Sequence, residues 1–214
     1  MEKSTCPNCI SDIKSGFLSS NEIFDQHRTD FINVYHEKKS EGYCGKCGPE
    51  LLLKAKSKRD KEVSAIAADM EKSLPHLPII TVHVPYKWEY DVVGMVTAQS
   101  TTGTGIIAEF AAGWTDFFGQ QSGRYNSKLK AGEDLCKTQL RMQALALGAN
   151  AIIGTDIDYA DVGGSRDMLM VCMAGTAVKL RNLEVLDATA NEHIRLLKEN
   201  NARLTLLKSF DDLE

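Results

Sequence analysis

Two Cys-x-x-Cys motifs place the strongest constraint on how the start of this 214-residue chain can fold. Cys6 and Cys9 form the first motif, TCPNC, and Cys44 and Cys47 form the second, YCGKCG, after an interval of 34 residues. A two-residue gap lets two sulfurs from one tight turn reach the same ion, and four thiolates satisfy tetrahedral Zn²⁺. We call each motif a knuckle, and we predict one zinc ion bound by all four cysteines.

The predicted zinc site is structural, because four sulfur ligands leave no position open for a catalytic water. The second knuckle runs into a helix-like stretch, PELLLKAK, an arrangement that resembles treble-clef and zinc-ribbon domains. Two alternatives use the same thiolates. One is a thioredoxin-like redox pair, which two matched knuckles without a βαβ unit disfavour, and the other is a soft-metal or iron site. His27 and His36 could replace a cysteine, although we expect ordinary helix residues at both positions.

Charge and hydropathy exclude several classes of function. The net charge of −4 gives no electrostatic footprint for nucleic acid or for an acidic membrane surface. No apolar run reaches the roughly 18 residues of a membrane helix, and the N-terminus lacks the apolar stretch of a secretory signal. We therefore expect a cytoplasmic protein in which the other two cysteines, Cys136 and Cys172, are buried inert thiols.

Composition divides the chain into four predicted segments: a four-cysteine module at 1–48, a helical connector at 49–76, a domain at 77–182 and a C-terminal helix at 183–214. Pro49 suits the first turn of the connector helix, and the prolines of LPHLP end it. Within the module, Ser20 or Asn21 is the predicted N-cap of a helix over 21–39. The C-terminal helix is expected to pack on its own protomer or on neighbours in an oligomer.

Strand patterning dominates the third segment. IITVHVP and YDVVGMVTAQ are strand candidates, and YNSKLKAGEDLCKTQLRMQALALG is a helix candidate that stops at Gly148. ANAIIGTDIDYA and DMLMVCMAGTAVKL follow as two strands, joined by a DVGG hairpin turn. The turn GTGIIA lacks the second strand that a dinucleotide-binding unit requires. Strands on both sides of one long helix predict an α+β domain with a mostly antiparallel sheet.

A second candidate site lies on the strand that contains GTDIDY. Asp156 and Asp158 are two residues apart and share one face of that strand. Two carboxylates could hold a hard cation or act as an acid/base pair, and a solvated strand end is the alternative. Arg124 belongs to the same domain. We predict that these three residues could meet in a pocket between subunits.

Four strings, YDVVGMVTAQ, SGRYNSKL, LGANAIIGTDIDY and MLMVCMAGTAVK, together resemble the YbjQ family over about residues 79–180. That family carries a heavy-metal-binding label without an established biochemical role. The resemblance implies a dodecin-like α+β subunit that assembles into a ring, as a homopentamer. No Cys/His cluster lies in these residues, so heavy-metal binding by this domain does not follow from its sequence.

Three functions from different classes remain open. The first is a non-catalytic ring that acts as a binding or scaffold protein for a protein partner or ligand, with a structural zinc module on each subunit. The second is a heavy-metal or thiol-redox sensor that uses the four cysteines. The third is an enzyme with a site between subunits. The sequence shows no nucleophile–base set, which favours the first function over the third.

Overall fold

The computed structural model describes residues 4–13, 21–101, 124–161 and 169–213, with the side chains of 124–128, 161 and 169 left out of that description. Contacts divide the chain into two compact units, Met1–Asp69 with Asn200–Glu214 and Met70–Glu199. We call these the first and the second unit. The four segments predicted from composition stay a prediction. None of the helices in the described ranges is long and apolar enough to cross a membrane.

The described residues form four α-helices: α1 Gln26–Tyr35, α2 Gly48–Ser73, α3 Arg124–Ala146 and α4 Ala188–Lys208. Short 3₁₀ helices lie at Leu74–His76, Leu183–Val185 and Asp211–Leu213. Pro49 occupies the first turn of α2, and Pro75 lies in the 3₁₀ turn that follows α2. Gly148 lies just past α3 with a φ of +78°, the left-handed conformation that favours glycine after a helix.

The predicted N-cap of α1 is wrong. Asp25 caps the helix in place of Asn21, because its carboxylate accepts a 2.8 Å hydrogen bond from the Arg28 N–H. Ser20, the other predicted cap, lies outside the described residues. The helix therefore has 10 residues, about half of the predicted span, and the residues just before Asp25 are extended.

Three strands, β1 Tyr90–Thr101, β2 Ala151–Asp161 and β3 Leu169–Leu180, form one sheet in the order β1-β3-β2. Both pairings are antiparallel, which confirms the predicted α+β class and the antiparallel sheet. The hairpin turn at 162–168 and the turn GTGIIA lie outside the described residues. Cys172 in the central strand lies opposite Gln99 of β1 and opposite Asp158 of β2.

The strand predicted for 79–85 is wrong for most of its length. Ile79 forms one parallel bridge with Ile152, and the Ile80 N–H donates to Ile152 O at 3.0 Å. Immediately afterwards β2 changes register around Gly154, whose φ is +58°. A bulge of this kind bends the strand and interrupts a continuous ladder. The neighbouring segment therefore contains bends and keeps separate backbone hydrogen bonds to β2 without becoming a regular strand.

Helix α3 packs on one face of the sheet and forms the core of the second unit. Cys136, Leu140 and Ala144 are fully buried at helical spacing. Leu147, which the sequence places in the same series, lies past the end of α3 and is 49% exposed. Burial raises the pKa of the Cys136 thiol to about 11, which keeps that thiol protonated. Cys172 was also predicted to be buried, but it is only half-buried. Its neighbours in β3 point into the core, so Cys172 points to the opposite face.

The first unit has a small aromatic core and one partly buried ion pair. Phe31, Ala55 and Phe210 form this core. The Arg203 guanidinium donates two hydrogen bonds to the Glu62 carboxylate, at 2.7 and 3.0 Å, and thereby lowers the pKa of Glu62. The last residues of the chain therefore fold with the cysteine-bearing part of the molecule.

Candidate metal centre

The first knuckle is a tight hairpin whose backbone hydrogen bonds join residues of the hairpin to one another. A β-bridge joins Thr5 to Asp12, and the Cys6 N–H donates to Ser11 O at 2.8 Å. The Ile10 N–H donates back to Cys6 O at 2.9 Å. Ile10 has a φ of +62°, a left-handed conformation that β-branched residues rarely adopt, and its side chain is 78% exposed. The first knuckle therefore stores backbone strain at a solvent-facing position.

The second knuckle is fixed on both sides. Before it in sequence, Ile23 forms an antiparallel bridge with Cys44. After it, the Gly48 N–H donates to Cys44 O at 2.7 Å, and Gly48 begins α2. A Cβ at Gly48 would lie 2.5 Å from the Phe24 ring, so glycine is required for this close approach. A bridge and a helix thus hold Cys44 in place.

The two knuckles bring four sulfur atoms together, all within 4.8 Å of one another. The Sγ–Sγ distances are 3.6 Å for Cys9–Cys44, 3.8 Å for Cys6–Cys47 and 3.9 Å for Cys44–Cys47. A tetrahedral ion with metal–sulfur bonds of about 2.3 Å has sulfur–sulfur edges of about 3.8 Å. Disulfides, at about 2.05 Å, are far shorter. The spacing therefore fits four thiolates around one metal ion of the size of Zn²⁺, and we call this group the sulfur cluster.

The four cysteines differ in their access to solvent. Cys44 and Cys6 are buried, with 0% and 2% of their surface exposed, and Cys47 is half-buried. Cys9 is exposed, and its Sγ lies 3.3 Å from Ser11 Oγ. The sulfur cluster therefore opens to solvent at Cys9, a difference that the identical spacing of the two motifs does not reveal.

The surroundings also separate the pKa values of the thiols. Hydrogen bonds from the Ser11 hydroxyl and backbone lower the pKa of Cys9 to about 6. Burial opposes ionisation of Cys44, but the backbone N–H groups of Cys47 and Lys46 outweigh it and lower the pKa of Cys44. Burial raises the pKa of Cys47 to about 12. Binding of a divalent cation by all four sulfurs therefore requires loss of the Cys47 proton, so affinity should fall as the pH falls.

Neither histidine between the knuckles joins the sulfur cluster. His27 Nε2 lies 2.9 Å from Asp212 Oδ1, and the His27 ring stacks on Phe210 at 5.0 Å. His36 follows the last residue of α1, and its Nδ1 accepts the Lys38 N–H at 3.1 Å. Both side chains thus have partners of their own, as expected for residues of a helix and its end.

Asp156 and Asp158 line a depression of about 350 Å³ on the sheet face away from α3. Its lining residues are Thr97, Ala98, Gln99, Asp156, Asp158, Cys172, Met173 and Ala174. Sequence analysis missed Gln99 and Cys172, which reach the depression because the central strand pairs with both others. Arg124 begins α3 with its side chain outside the described residues, so its meeting with the two aspartates stays a prediction.

Comparisons with known proteins concern the part of the chain after the knuckles. The crystal structure of a protein with unknown function from Pediococcus pentosaceus, described as belonging to the DUF74 family, is 21% identical in sequence, with a TM-score of 0.34. The alignment covers 48% of this chain and 96% of that chain. A family model described as "Putative heavy-metal-binding" matches residues 79–181, a range without any cysteine of the sulfur cluster. Residues 79–181 therefore match the YbjQ family model, and the resemblance predicted from the sequence is confirmed.

Proposed function

We propose that the protein is a non-catalytic homo-oligomeric ring, assembled as a pentamer, that carries one structural zinc ion per chain and acts as a binding scaffold. The sulfur geometry carries the zinc part of this proposal, because three of the six Sγ–Sγ distances run from 3.6 to 3.9 Å and all six lie within 4.8 Å. Four thiolates complete a tetrahedral shell, so no position is left for a substrate or a catalytic water.

Zinc at the sulfur cluster would act mainly on folding. The hairpin of the first knuckle spans only a few residues and closes its hydrogen bonds on itself, while the second knuckle continues into α2. An ion shared by both knuckles links two segments that are about 35 residues apart in sequence. The binding free energy of such an ion then becomes folding free energy of the module.

Exposed apolar side chains on the sheet support assembly with other copies. On β1, Met95 is 76% exposed and Val92 is 68% exposed. Leu147, which is 49% exposed, lies beside the same strand, because its Cδ1 is 3.5 Å from the Cβ position of Gly94. Leu147 lies on the α3 face of the sheet, whereas Met95 and Val92 lie on the opposite face, so exposed apolar groups flank both sides of the edge strand β1. Together with the family resemblance, they support a ring in which β1 lies near the subunit interface.

A ring would raise binding strength without new contacts, because each subunit repeats the same weak binding module. The partner that fits best is another protein or a small ligand in the cytoplasm. The net charge of −4 disfavours nucleic acid, whose binding depends on neutralising phosphates.

Native mass spectrometry of the full chain, purified without added metal, tests both parts of the proposal. We expect the wild-type protein to be a pentamer with one zinc ion per chain. Combining Cys44→Ser with Cys47→Ser, which leaves only two sulfurs in the cluster, should lose the zinc, and Cys172→Ser, which removes a thiol outside the sulfur cluster, should keep it. A monomer refutes the ring, absence of metal refutes the zinc site, and equal zinc content in the two variants refutes ligation by the cluster.

The exposure of Cys9 favours a second candidate function, the binding of softer cations such as Cd²⁺ by the same four sulfurs. Ligand exchange is easiest where a sulfur can be approached from solvent. Thiolate-to-metal charge-transfer absorbance would follow Cd²⁺ replacing zinc, with Cys172→Ser as the control. Zinc that resists excess Cd²⁺ would refute this function. An enzyme site at Asp156, Asp158 and Arg124 stays a prediction.

A further inference from the structure

Cys9 is the corner of the sulfur cluster that a small solute reaches first. Cys6 and Cys44 are 2% and 0% exposed, and Cys47 is half-buried, whereas Cys9 is exposed. Reactive thiolates combine charge with access, and inert ones lack access. Among the four ligands, solvent access therefore singles out Cys9 as the first target of a reagent in solution.

Cys44 is placed to react with a modified Cys9. Their sulfurs are 3.6 Å apart, compared with 3.8 Å for Cys6–Cys47 and 3.9 Å for Cys44–Cys47. A disulfide between Cys9 and Cys44 needs an approach of about 1.5 Å. The first knuckle can supply this movement, because the backbone hydrogen bonds around Cys9 are internal to the hairpin and Ile10 is strained. The bond that Asn21 Nδ2 donates to Asp12 O lies at the base of the hairpin. Cys44 is held by its bridge and by α2.

We propose that Cys9 is a site of oxidation by hydroperoxides and that Cys44 is its resolving partner, so that the chain responds to peroxide by exchanging its metal for a Cys9–Cys44 disulfide. This inference rests on the zinc site proposed above and adds a redox response to it. The substrate class is a small hydroperoxide, which accepts the electrons.

The chemistry proceeds in two balanced steps. The Cys9 thiolate attacks the terminal peroxide oxygen, the O–O bond breaks, and alkoxide, or hydroxide in the case of hydrogen peroxide, leaves, so that Cys9 becomes a sulfenic acid. The Cys44 thiolate then attacks Cys9 Sγ, the S–O bond breaks, and hydroxide leaves. The two thiolates lose two electrons in total, and the peroxide gains them.

Disulfide formation removes two of the four metal ligands. Cys6 and Cys47 alone cannot fill a tetrahedral shell, so the metal is released. The hairpin of the first knuckle then loses its metal link to the rest of the first unit, whereas the second knuckle stays continuous with α2. Peroxide would thus alter the first knuckle and leave the helix in place.

The zinc-loaded full chain is titrated with hydrogen peroxide while a chromogenic chelator reports zinc release. Disulfides are mapped by tryptic mass spectrometry after alkylation of the remaining thiols, and fragmentation of the peptide 4–14, which carries both Cys6 and Cys9, identifies which of the two is bonded. Cleavage after Lys46 places Cys44 and Cys47 on separate peptides. Cys172→Ser is the matched control, because it removes the partly exposed thiol outside the sulfur cluster. In the wild type and in Cys172→Ser, we expect the release of about one zinc ion per chain to accompany the formation of a Cys9–Cys44 disulfide.

Three results would overturn the inference and leave the zinc site standing. They are a first disulfide that excludes Cys9, zinc release that disappears in Cys172→Ser, and retention of zinc when excess peroxide is present. Protein that carries no zinc before peroxide is added would instead refute the proposed function, and the redox inference with it. The zinc content per chain before oxidation therefore tests the zinc site, and the disulfide map after oxidation tests the redox inference.

Discussion

Replacing Ile10 by glycine should strengthen metal binding at the sulfur cluster. Ile10 has a φ of +62°, and a left-handed conformation costs a non-glycine residue roughly 1–2 kcal/mol. Glycine removes that cost but loses about 0.4–1 kcal/mol of additional chain entropy on folding. The side chain is 78% exposed, so little burial is lost. The net gain is about 0.7 kcal/mol, which is about threefold in affinity.

Competition with a zinc chelator at fixed pH measures this gain. Lys87→Gly is the matched control, because Lys87 also has a positive φ, +64°, and belongs to the second unit, whereas the sulfur cluster belongs to the first. We expect Ile10→Gly to bind zinc about threefold more tightly and Lys87→Gly to match the wild type. An unchanged or weaker affinity for Ile10→Gly, or the same gain in both variants, would show that strain at Ile10 does not oppose metal binding.

Two further substitutions test the packing and the ion pair. Gly175→Ala should lower the free energy of unfolding in urea by about 1–3 kcal/mol, because the new Cβ would lie 2.6 Å from Cγ2 of the buried Ile152. Gly94→Ala, whose Cβ would meet only ordinary contacts, is the control. Equal losses of stability in the two variants would contradict the predicted clash. Glu62→Gln should cost about 1 kcal/mol at neutral pH. The folded-state pKa of Glu62 is lowered, so its stabilisation is complete above the ordinary pKa of about 4.3 and is lost as the pH falls through the folded-state pKa. A difference between wild type and variant that does not shrink in acid would refute this linkage.

Local sequence patterns were sufficient to predict elements whose structure depends on their own residues. The helical spacing of Cys136, Leu140 and Ala144 follows the buried face of α3, although Leu147 in the same series is exposed. The strand candidates on either side of DVGG predicted the antiparallel pair β2 and β3. The segment 79–85 failed because β-branched residues favour an extended backbone, whereas pairing depends on the partner strand, which changes register at Gly154. The start of α1 failed for a similar reason, since Asn21 uses its side-chain amide to bind Asp12 O at 2.7 Å.

The candidate site shows the same division between local and tertiary information. Motif spacing indicated which four cysteines come together, because each Cys-x-x-Cys turn aims its two sulfurs at one point. The difference between exposed Cys9 and buried Cys44 depends on the bridge between Cys44 and Ile23, which no local pattern encodes. Likewise, Cys172 lies opposite Asp158 because of the register between β2 and β3, which the local sequence does not reveal.

The sulfur cluster and the family match lie in different parts of the chain, so they are two separate claims about metal. The family description concerns 79–181, and the cysteines of the cluster lie between residues 6 and 47. Within the described residues, only those four cysteines form a group of three or more ligating side chains close enough to share an ion. Three sulfurs and a water can still hold zinc, so the decisive variant lacks two ligands. Metal retained when Cys44→Ser and Cys47→Ser are combined would have to come from a second site, formed by assembly or by residues outside the described ranges. Complete loss would assign all bound metal to the N-terminal cysteines and leave the family's label without a site in this chain.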